Sequence, residues 1–288
     1  MMEYFLDMEP QYAARDSARY VLLPVPYDGT STFIKGADKG PQVIIDASDS
    51  LELYDIQYDI DPCLAGIYTD KPVSDLSTPE NMVNAVYQRV KLLMNENQLV
   101  GVLGGEHSVS IGSIKAHSEK YQQLSVLQID AHADLREEYH DSPYNHACVM
   151  RRAQEYARVV QVGIRSVCRE EQSFIVPENI FYAHHIHEGT EWMEKVVSRL
   201  TDHVYLTIDL DGLDPSVLPA TGTPLPGGLS WYSLLSLIEK VIESRNVIAF
   251  DVVELCPQVG NPASDVLAAS LVYKIIGLLE RKKSHQKA

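Results

Sequence analysis

Three short segments of the chain concentrate carboxylates and imidazoles. Asp130-Ala131-His132-Ala133-Asp134 follows the apolar run LSVLQI, and its polar residues stand at i, i+2 and i+4, one face of an extended chain. Asp209-Leu210-Asp211 closes a second apolar run, VYLTI, with the same i, i+2 spacing. Glu106-His107 closes a third, LVGVLGG, whose two glycines allow a sharp turn. Any one of these is explained by turn formation or helix capping. Three together, each at a strand end, would crowd carboxylates into one crevice, where they repel unless a cation compensates. Four Asp and two His from these segments suit two hard-to-borderline dications bridged by carboxylate oxygens. Manganese fits that donor set better than zinc, which takes fewer ligands and often Cys. Two adjacent metals lower the pKa of a bridging water and hold a hydroxide nucleophile, so the chemistry expected is hydrolysis at an electrophilic carbon or phosphorus. Asp209 does not open a calcium loop, because the sixth position is Asp214 rather than Gly and the twelfth is Ala220 rather than Glu.

Positioning these residues requires strands that deliver them to one place. Candidate strands are Ala18–Leu23, Leu64–Tyr68, Leu99–Leu103, Leu124–Asp130, Val159–Gly163, Asn179–Tyr182, Val204–Asp209 and Val247–Glu254. Amphipathic stretches separate them. The clearest begins at Thr78-Pro79-Glu80, an N-cap followed by Pro at the first helical position, and puts Val83, Val86, Val90 and Leu93 on one face. Apolar strands alternating with helices predict an α/β fold: three layers, α/β/α, around a central, mostly parallel eight-stranded sheet. No linker or repeat interrupts the series, so a single domain over residues 1–288 is expected. In such sheets ligands sit beyond the carboxyl ends of the strands, where the polar segments fall.

Bulk composition narrows the partners. A formal net charge of −16 argues against nucleic acid and against an anionic membrane surface. The opening MMEYFLDMEPQY has no basic or apolar stretch, so no secretory signal is expected, and no apolar run approaches the ~20 residues of a membrane span. Cys63, Cys148, Cys168 and Cys256 are scattered, which suits a reducing cytoplasm. Cys148 and Cys256 read as small buried apolar residues. His184, His185 and His187 lack an accompanying carboxylate or Cys pattern and read as solvated loop residues. The basic stretch from Arg281 through Lys287 reads as a frayed, solvated tail.

The three polar segments resemble, in order and spacing, the signature motifs of the arginase/agmatinase ureohydrolase family. Gly104-Gly105-Glu106-His107-Ser108 is similar to Gly-Gly-Asp-His-Ser, Asp130 through Asp134 to Asp-Ala-His-x-Asp, and Asp209 through Leu229 to Asp-x-Asp-x-x-Asp-Pro with its Gly/Thr/Pro-rich loop. Pro26-Tyr27-Asp28-Gly29 and Gly40-Pro41 look like the family's N-terminal segment. The resemblance implies a binuclear manganese hydrolase, two Mn2+ per subunit, that cleaves a guanidinium to urea and an amine. It implies His107, Asp130, His132, Asp134, Asp209 and Asp211 as metal ligands, His146 as a proton shuttle and Glu254 as the acid that binds the guanidinium. Both roles are chemically apt: imidazole titrates in the right range to protonate a departing amine, and a carboxylate matches a planar guanidinium bidentately. It also implies a homo-oligomer, a trimer or hexamer. Two departures stand out, Glu106 for the commoner Asp and Ala220 for a Gly. Neither is a ligand position, and Ala220 implies a different local backbone, since Ala is strained at positive φ.

Substrate choice rests on the far end of the site. Arginases of this family present an Asn at the position of Arg136 and an acid at that of Cys168. Glu137 and Glu138, with Glu170 and Glu171, would form an acidic rim that attracts a bare ammonium, with Arg136 paired to its acidic neighbours. A small cationic guanidino compound, agmatine, is therefore the expected substrate, giving urea and putrescine. Arginine, guanidinobutyrate and formiminoglutamate are the alternatives within the family. A phosphoesterase would need basic residues near the metals, where only Arg136 and Arg165 are available, and a non-catalytic binding protein would tolerate lost ligands, whereas all six metal positions, His146 and Glu254 are intact.

Overall fold

The computed structural model describes residues 3–94 and 98–287. Eight strands, Tyr20–Val25 (β1), Ile67–Thr69 (β2), Leu99–Gly104 (β3), Leu124–Ile129 (β4), Arg158–Ile164 (β5), Ile180–Tyr182 (β6), His203–Asp209 (β7) and Asn246–Val253 (β8), form one sheet in the order β2-β1-β3-β8-β7-β4-β5-β6. Every ladder between them is parallel, so the mostly parallel expectation becomes an all-parallel one.

Strand side chains alternate between two cores, as the period of two requires. On β1, Tyr20 and Leu22 enter one core, while Val21, Leu23 and Val25 enter the other. The first core is closed by helices Gly40–Ser48, Glu191–Arg199, Trp231–Ser244 and Ala263–Lys287, through residues such as Ile44, Val196, Ile238 and Leu271. The second is closed by Pro79–Leu93, Val109–Lys120 and Val149–Ala153, through Val86, Ile114 and Met150. Thus the layers are α/β/α. Packing is close: a Cβ at Gly101 on β3 would stand 2.5 Å from the ring of fully buried Phe250 on β8. Truncating that ring to Ala would cost about 3–5 kcal/mol.

The helix expected after Thr78 forms as read, with the Thr78 hydroxyl accepting from Asn81 N at 3.2 Å and Val83, Val86, Val90 and Leu93 buried. Other boundaries shift for local reasons. Leu64 belongs to a 3-10 turn, Pro62–Ala65, and the strand waits until Gly66, at φ 77, has turned the chain. The basic tail is a correction. It continues the helix Ala263–Lys287, with Arg281 bound to Glu239 and Glu243 at 2.5 and 2.7 Å and Lys282 donating to Arg245 O at 2.7 Å. Acidic residues on the neighbouring helix make that end an ion-paired face, which composition alone did not reveal. His184 and His185 lie in a one-turn helix rather than a loop, exposed as expected and packed on Tyr182. Among the described residues, no helix is long and apolar enough to cross a membrane.

Candidate metal centre and active site

The four adjacent strands β3, β8, β7 and β4 sit at the middle of the sheet, and the chain just past each carboxyl end delivers one part of the site. Glu106 and His107 follow β3, Glu254 follows β8, Asp209 ends β7 with Asp211 in the next turn, and Asp130, His132 and Asp134 follow β4. Backbones must approach closely here. A Cβ at Gly105 would stand 2.0 Å from Tyr27 O, and one at Gly212 would stand 2.9 Å from Asp130 N, so glycine is required at both turns.

His107 is the centre of the first cluster. Its Nδ1 lies 3.1 Å from Asp130 Oδ2, 3.0 Å from Asp134 Oδ2 and 3.5 Å from Asp209 Oδ2. Yet this buried nitrogen has no hydrogen-bond partner. The other ring nitrogen explains why. Nε2 is 2.9 Å from Thr207 Oγ1, and Thr207 donates its only hydroxyl proton to Asp251 Oδ1 at 2.6 Å. Thr207 therefore accepts from Nε2–H, and Nδ1 points at three carboxylate oxygens, which, against burial, push the His107 pKa well up and favour either a proton or a cation at that nitrogen. Tyr205 OH holds Asp251 Oδ2 at 2.7 Å. An imidazole nitrogen facing three carboxylates suits a metal by its donor chemistry.

The second cluster joins His132 Nδ1 to Asp211 Oδ2 at 3.0 Å and to Asp130 Oδ1 at 3.7 Å. Asp130 thus gives one oxygen to each cluster. Its carboxylate is held by Gln128 Nε2, donating to Oδ2 at 2.6 Å, and by His132 N, donating to Oδ1 at 2.6 Å. Asp211 accepts from Ala131 N and from Thr223 Oγ1, and Asp209 accepts from Asp211 N. His107, Asp130 and Asp134, and separately Asp130, His132 and Asp211, have ligand atoms close enough to hold one ion each.

Protonation equilibria show what the site needs. Burial and the Asp130 carboxylate raise the Asp134 pKa to about 7, and burial with Asp211 and Asp130 pushes Asp209 well up. Burial opposes charge on His132, but Asp130 and Asp211 drive its pKa to about 12. Carboxylates forced to keep protons, beside imidazoles forced to gain them, are the signature of missing positive charge. Dications at these donors would relieve both, so the residues fit the metals the motifs imply.

His146 begins a 3-10 turn capped by Asn145, whose side chain accepts from Ala147 N at 3.1 Å. It lines the same cavity, of about 280 Å³, as His107, His132, Asp134, Asp209 and Glu254. Burial, then the neighbouring His132 and His107, lowers its pKa to about 4. The Tyr139 ring stands edge-on to it at 6.2 Å. Glu254 Oε1 accepts from His107 N at 2.8 Å, and burial, then Glu106, raises the Glu254 pKa well up. Asp134 and Glu254 take positive φ, 51° and 66°. Such left-handed conformations cost of order 1–3 kcal/mol each at non-glycine residues and cluster at functional sites.

The rim differs from the sequence reading. Glu137 is exposed and bound to Arg151 and Arg152 at 2.8 and 2.5 Å, and neither it nor Glu138 lines the cavity. Arg136 does line it, but it pairs with Glu170 at 3.4 Å and lies over the Tyr139 ring instead of pairing with Glu137 or Glu138. The turn after Asp134 carries residues 137 and 138 outward to solvent, Glu137 onto the arginines of the helix Val149–Ala153. The acid on the cavity wall is Glu171, buried, its oxygens accepting from Leu135 N at 2.8 Å and Cys168 N at 2.6 Å. Arg165 spends its guanidinium on the carbonyls of Gly163, Asp211, Leu213 and Leu225, bracing the loop behind the site. Cys148 and Cys256 are buried, as expected. Ala220 is buried without positive φ, so the Gly-to-Ala departure carries no backbone strain. Asp214, third acid of its motif, is no ligand: it accepts from Ser216, Gly227 and Gly228 and closes the loop.

Comparison with known proteins agrees with this geometry. The profile described as the arginase family matches residues 18–277. The N(1)-aminopropylagmatine ureohydrolase of Synechocystis is 37% identical, over 95% of this chain and 92% of its own. The agmatinase of Pyrococcus horikoshii is 34% identical, over 96% and 97%. Among solved structures, the agmatine ureohydrolase of Thermoplasma volcanium superposes with a TM-score of 0.86 at 31% identity, covering 95% of this chain and 94% of that one. With these relatives spanning nearly the whole chain, and with the motif carboxylates and imidazoles converging at the centre of the sheet, the chain belongs to the arginase family, as an agmatinase-like ureohydrolase that hydrolyses a guanidino C–N bond.

Proposed function

We propose that the substrate is agmatine, cleaved to urea and putrescine. The observation that carries this reading is the wall of the cavity: Glu171 contributes a carboxylate, while Arg136, the one basic guanidinium on that wall, is committed to Glu170 and Tyr139. A substrate ending in ammonium suits that wall, and a substrate carboxylate would compete there with Glu170 for Arg136. Glu254 receives the guanidinium through its remaining oxygen lone pairs. His146 delivers a proton to the departing amine. Two Mn2+ held by His107, Asp130, His132, Asp134, Asp209 and Asp211 supply, when bound, Lewis acidity and a nucleophile at neutral pH.

A second reading, N(1)-aminopropylagmatine, is favoured by the relative from Synechocystis, and by one from Thermus thermophilus, also 37% identical. It presents the same guanidinium on a longer, doubly cationic tail. We place the enzyme in a reducing cytoplasm as a homo-oligomer, a trimer or hexamer. The four cysteines, all unpaired, suit the first, and light scattering tests the second.

Urea release from agmatine, N(1)-aminopropylagmatine, arginine and 4-guanidinobutyrate, measured at equal concentration after manganese loading, tests the substrate. Amine-tailed compounds are expected to exceed arginine by at least ~100-fold in kcat/KM. Arginine turnover equal to that of agmatine would overturn the substrate and leave the family intact. Turnover of 4-guanidinobutyrate alone would mean the wall has the opposite preference.

A further inference from the structure

Glu106 is fully buried beside the metal ligands, yet no step assigned so far uses it. Its two oxygens accept from two hydroxyls, Ser108 Oγ and Thr30 Oγ1. Thr30 lies 116 residues before His146, in a loop held rigid by its own contacts: Asp28 Oδ2 accepts from Gly36 N at 2.6 Å, and Lys35 Nζ donates to Asp28 O at 3.0 Å. The Thr30 oxygen meets His146 twice, at 3.0 Å from the backbone N and 3.2 Å from ring Nδ1. A hydroxyl has one proton to give and two lone pairs with which to accept. With that proton on Glu106, both contacts to His146 must be accepted ones.

We propose that Thr30 is a positioning residue that fixes the ring of His146 as the Nδ1–H tautomer, with Glu106 orienting the Thr30 hydroxyl. The consequence is that Nε2 carries the free lone pair, on a ring that lines the cavity, and is the atom that takes up and releases the proton. Two anchors on one oxygen, one to backbone and one to ring, set both the place of residue 146 and the rotation of its imidazole. This role rests on the reading of His146 as proton shuttle.

Thr30→Val keeps the side-chain shape and removes the hydroxyl, and Thr30→Ser restores it. In manganese-loaded enzyme, Thr30→Val should lower kcat roughly 10- to 100-fold, with KM and bound metal unchanged within about twofold, and Thr30→Ser should stay close to wild type. In zinc-loaded, diamagnetic enzyme, 15N-resolved imidazole spectra should show His146 as Nδ1–H in wild type and Thr30→Ser, and should lose that preference in Thr30→Val. A Thr30→Val enzyme with wild-type kcat overturns the proposal, and so does an Nε2–H tautomer in the wild type, a measurement that needs no variant to fold. His146→Ala measured in parallel separates the causes. If it is fully active, the shuttle reading itself fails. If it is impaired while Thr30→Val is not, only the positioning role fails.

Discussion

Thr207 on β7 accepts the Nε2 proton of His107 at 2.9 Å and gives its own to Asp251, its register partner on β8, at 2.6 Å. A candidate metal ligand on the turn after β3 is thereby oriented from inside the sheet, through a hydroxyl and a carboxylate that are not part of the cavity lining. Thr207→Val should weaken metal binding about 10- to 100-fold, the usual worth of an outer partner of a ligating histidine. Thr207→Ser should retain it. Competition with a chromophoric chelator reads the difference directly, and an unchanged affinity in Thr207→Val would remove the assignment.

Chelated protein should be inactive, and manganese should restore hydrolysis better than zinc or magnesium. Because Asp134 holds its proton up to about pH 7 without metal, loading at pH 6 must expel it. Metal affinity therefore falls as pH drops below about 7, and loading in weak buffer acidifies the solution. A loading reaction that takes up no base would contradict this. Asp130→Asn or Asp209→Asn should abolish stoichiometric binding, while relieving repulsion in the metal-free protein.

His146→Ala should lower kcat by roughly 10²–10⁴-fold at unchanged metal content. Glu254→Ala should behave differently. It removes both the guanidinium partner and the acceptor of His107 N, so KM should rise and metal binding should weaken together. Metal analysis beside the kinetics distinguishes the two variants.

His117 is buried under Tyr205 and Tyr121, and burial lowers its pKa to about 4. Its ordinary value is near 6.5, so between those values the unfolded chain binds the extra proton and the folded one does not. The stability tied to neutral His117 is complete above about pH 6.5 and declines as pH falls towards 4, by about 1.4 kcal/mol per unit. Urea unfolding across that range should show wild type losing more stability than His117→Gln, which lacks this group's share and keeps those of His146 and Asp134. Equal losses in the two proteins would refute the assignment.

The convergence was legible because most of these residues are paired at strand ends, where a spacing of two puts side chains on one face whatever the strand order. Asp130, His132, Asp134, Asp209 and Asp211 come together for that reason, and His107 joins them from the turn after β3. Thr207 and Asp251 escaped notice, although a signal was present: each is a polar residue inside an otherwise apolar strand. The rim was misjudged because closeness in sequence stood in for closeness in space. One turn separates Glu137, which faces Arg151 and Arg152, from the cavity that Glu171 reaches from another loop. Thr30 could not be paired with His146 without the fold, since nothing in either segment points to the other.

The strand order carries a consequence for biosynthesis. Among the described strands β8 comes last in chain order, yet it lies between β3 and β7 and joins the two halves of the sheet. One half brings only His107, and the other brings Asp130, His132, Asp134, Asp209 and Asp211. Until residues 246–253 are inserted, the ladder that joins the strand before His107 to the strands bearing those carboxylates is incomplete. A nascent or prematurely terminated chain therefore holds an incomplete set of donors, and capture of the ions marks completed translation of the sheet. Pairing of strands so distant in sequence is slow by nature. The centre is completed only after β8 joins, and the helix Ala263–Lys287 that closes the first core follows it in the chain.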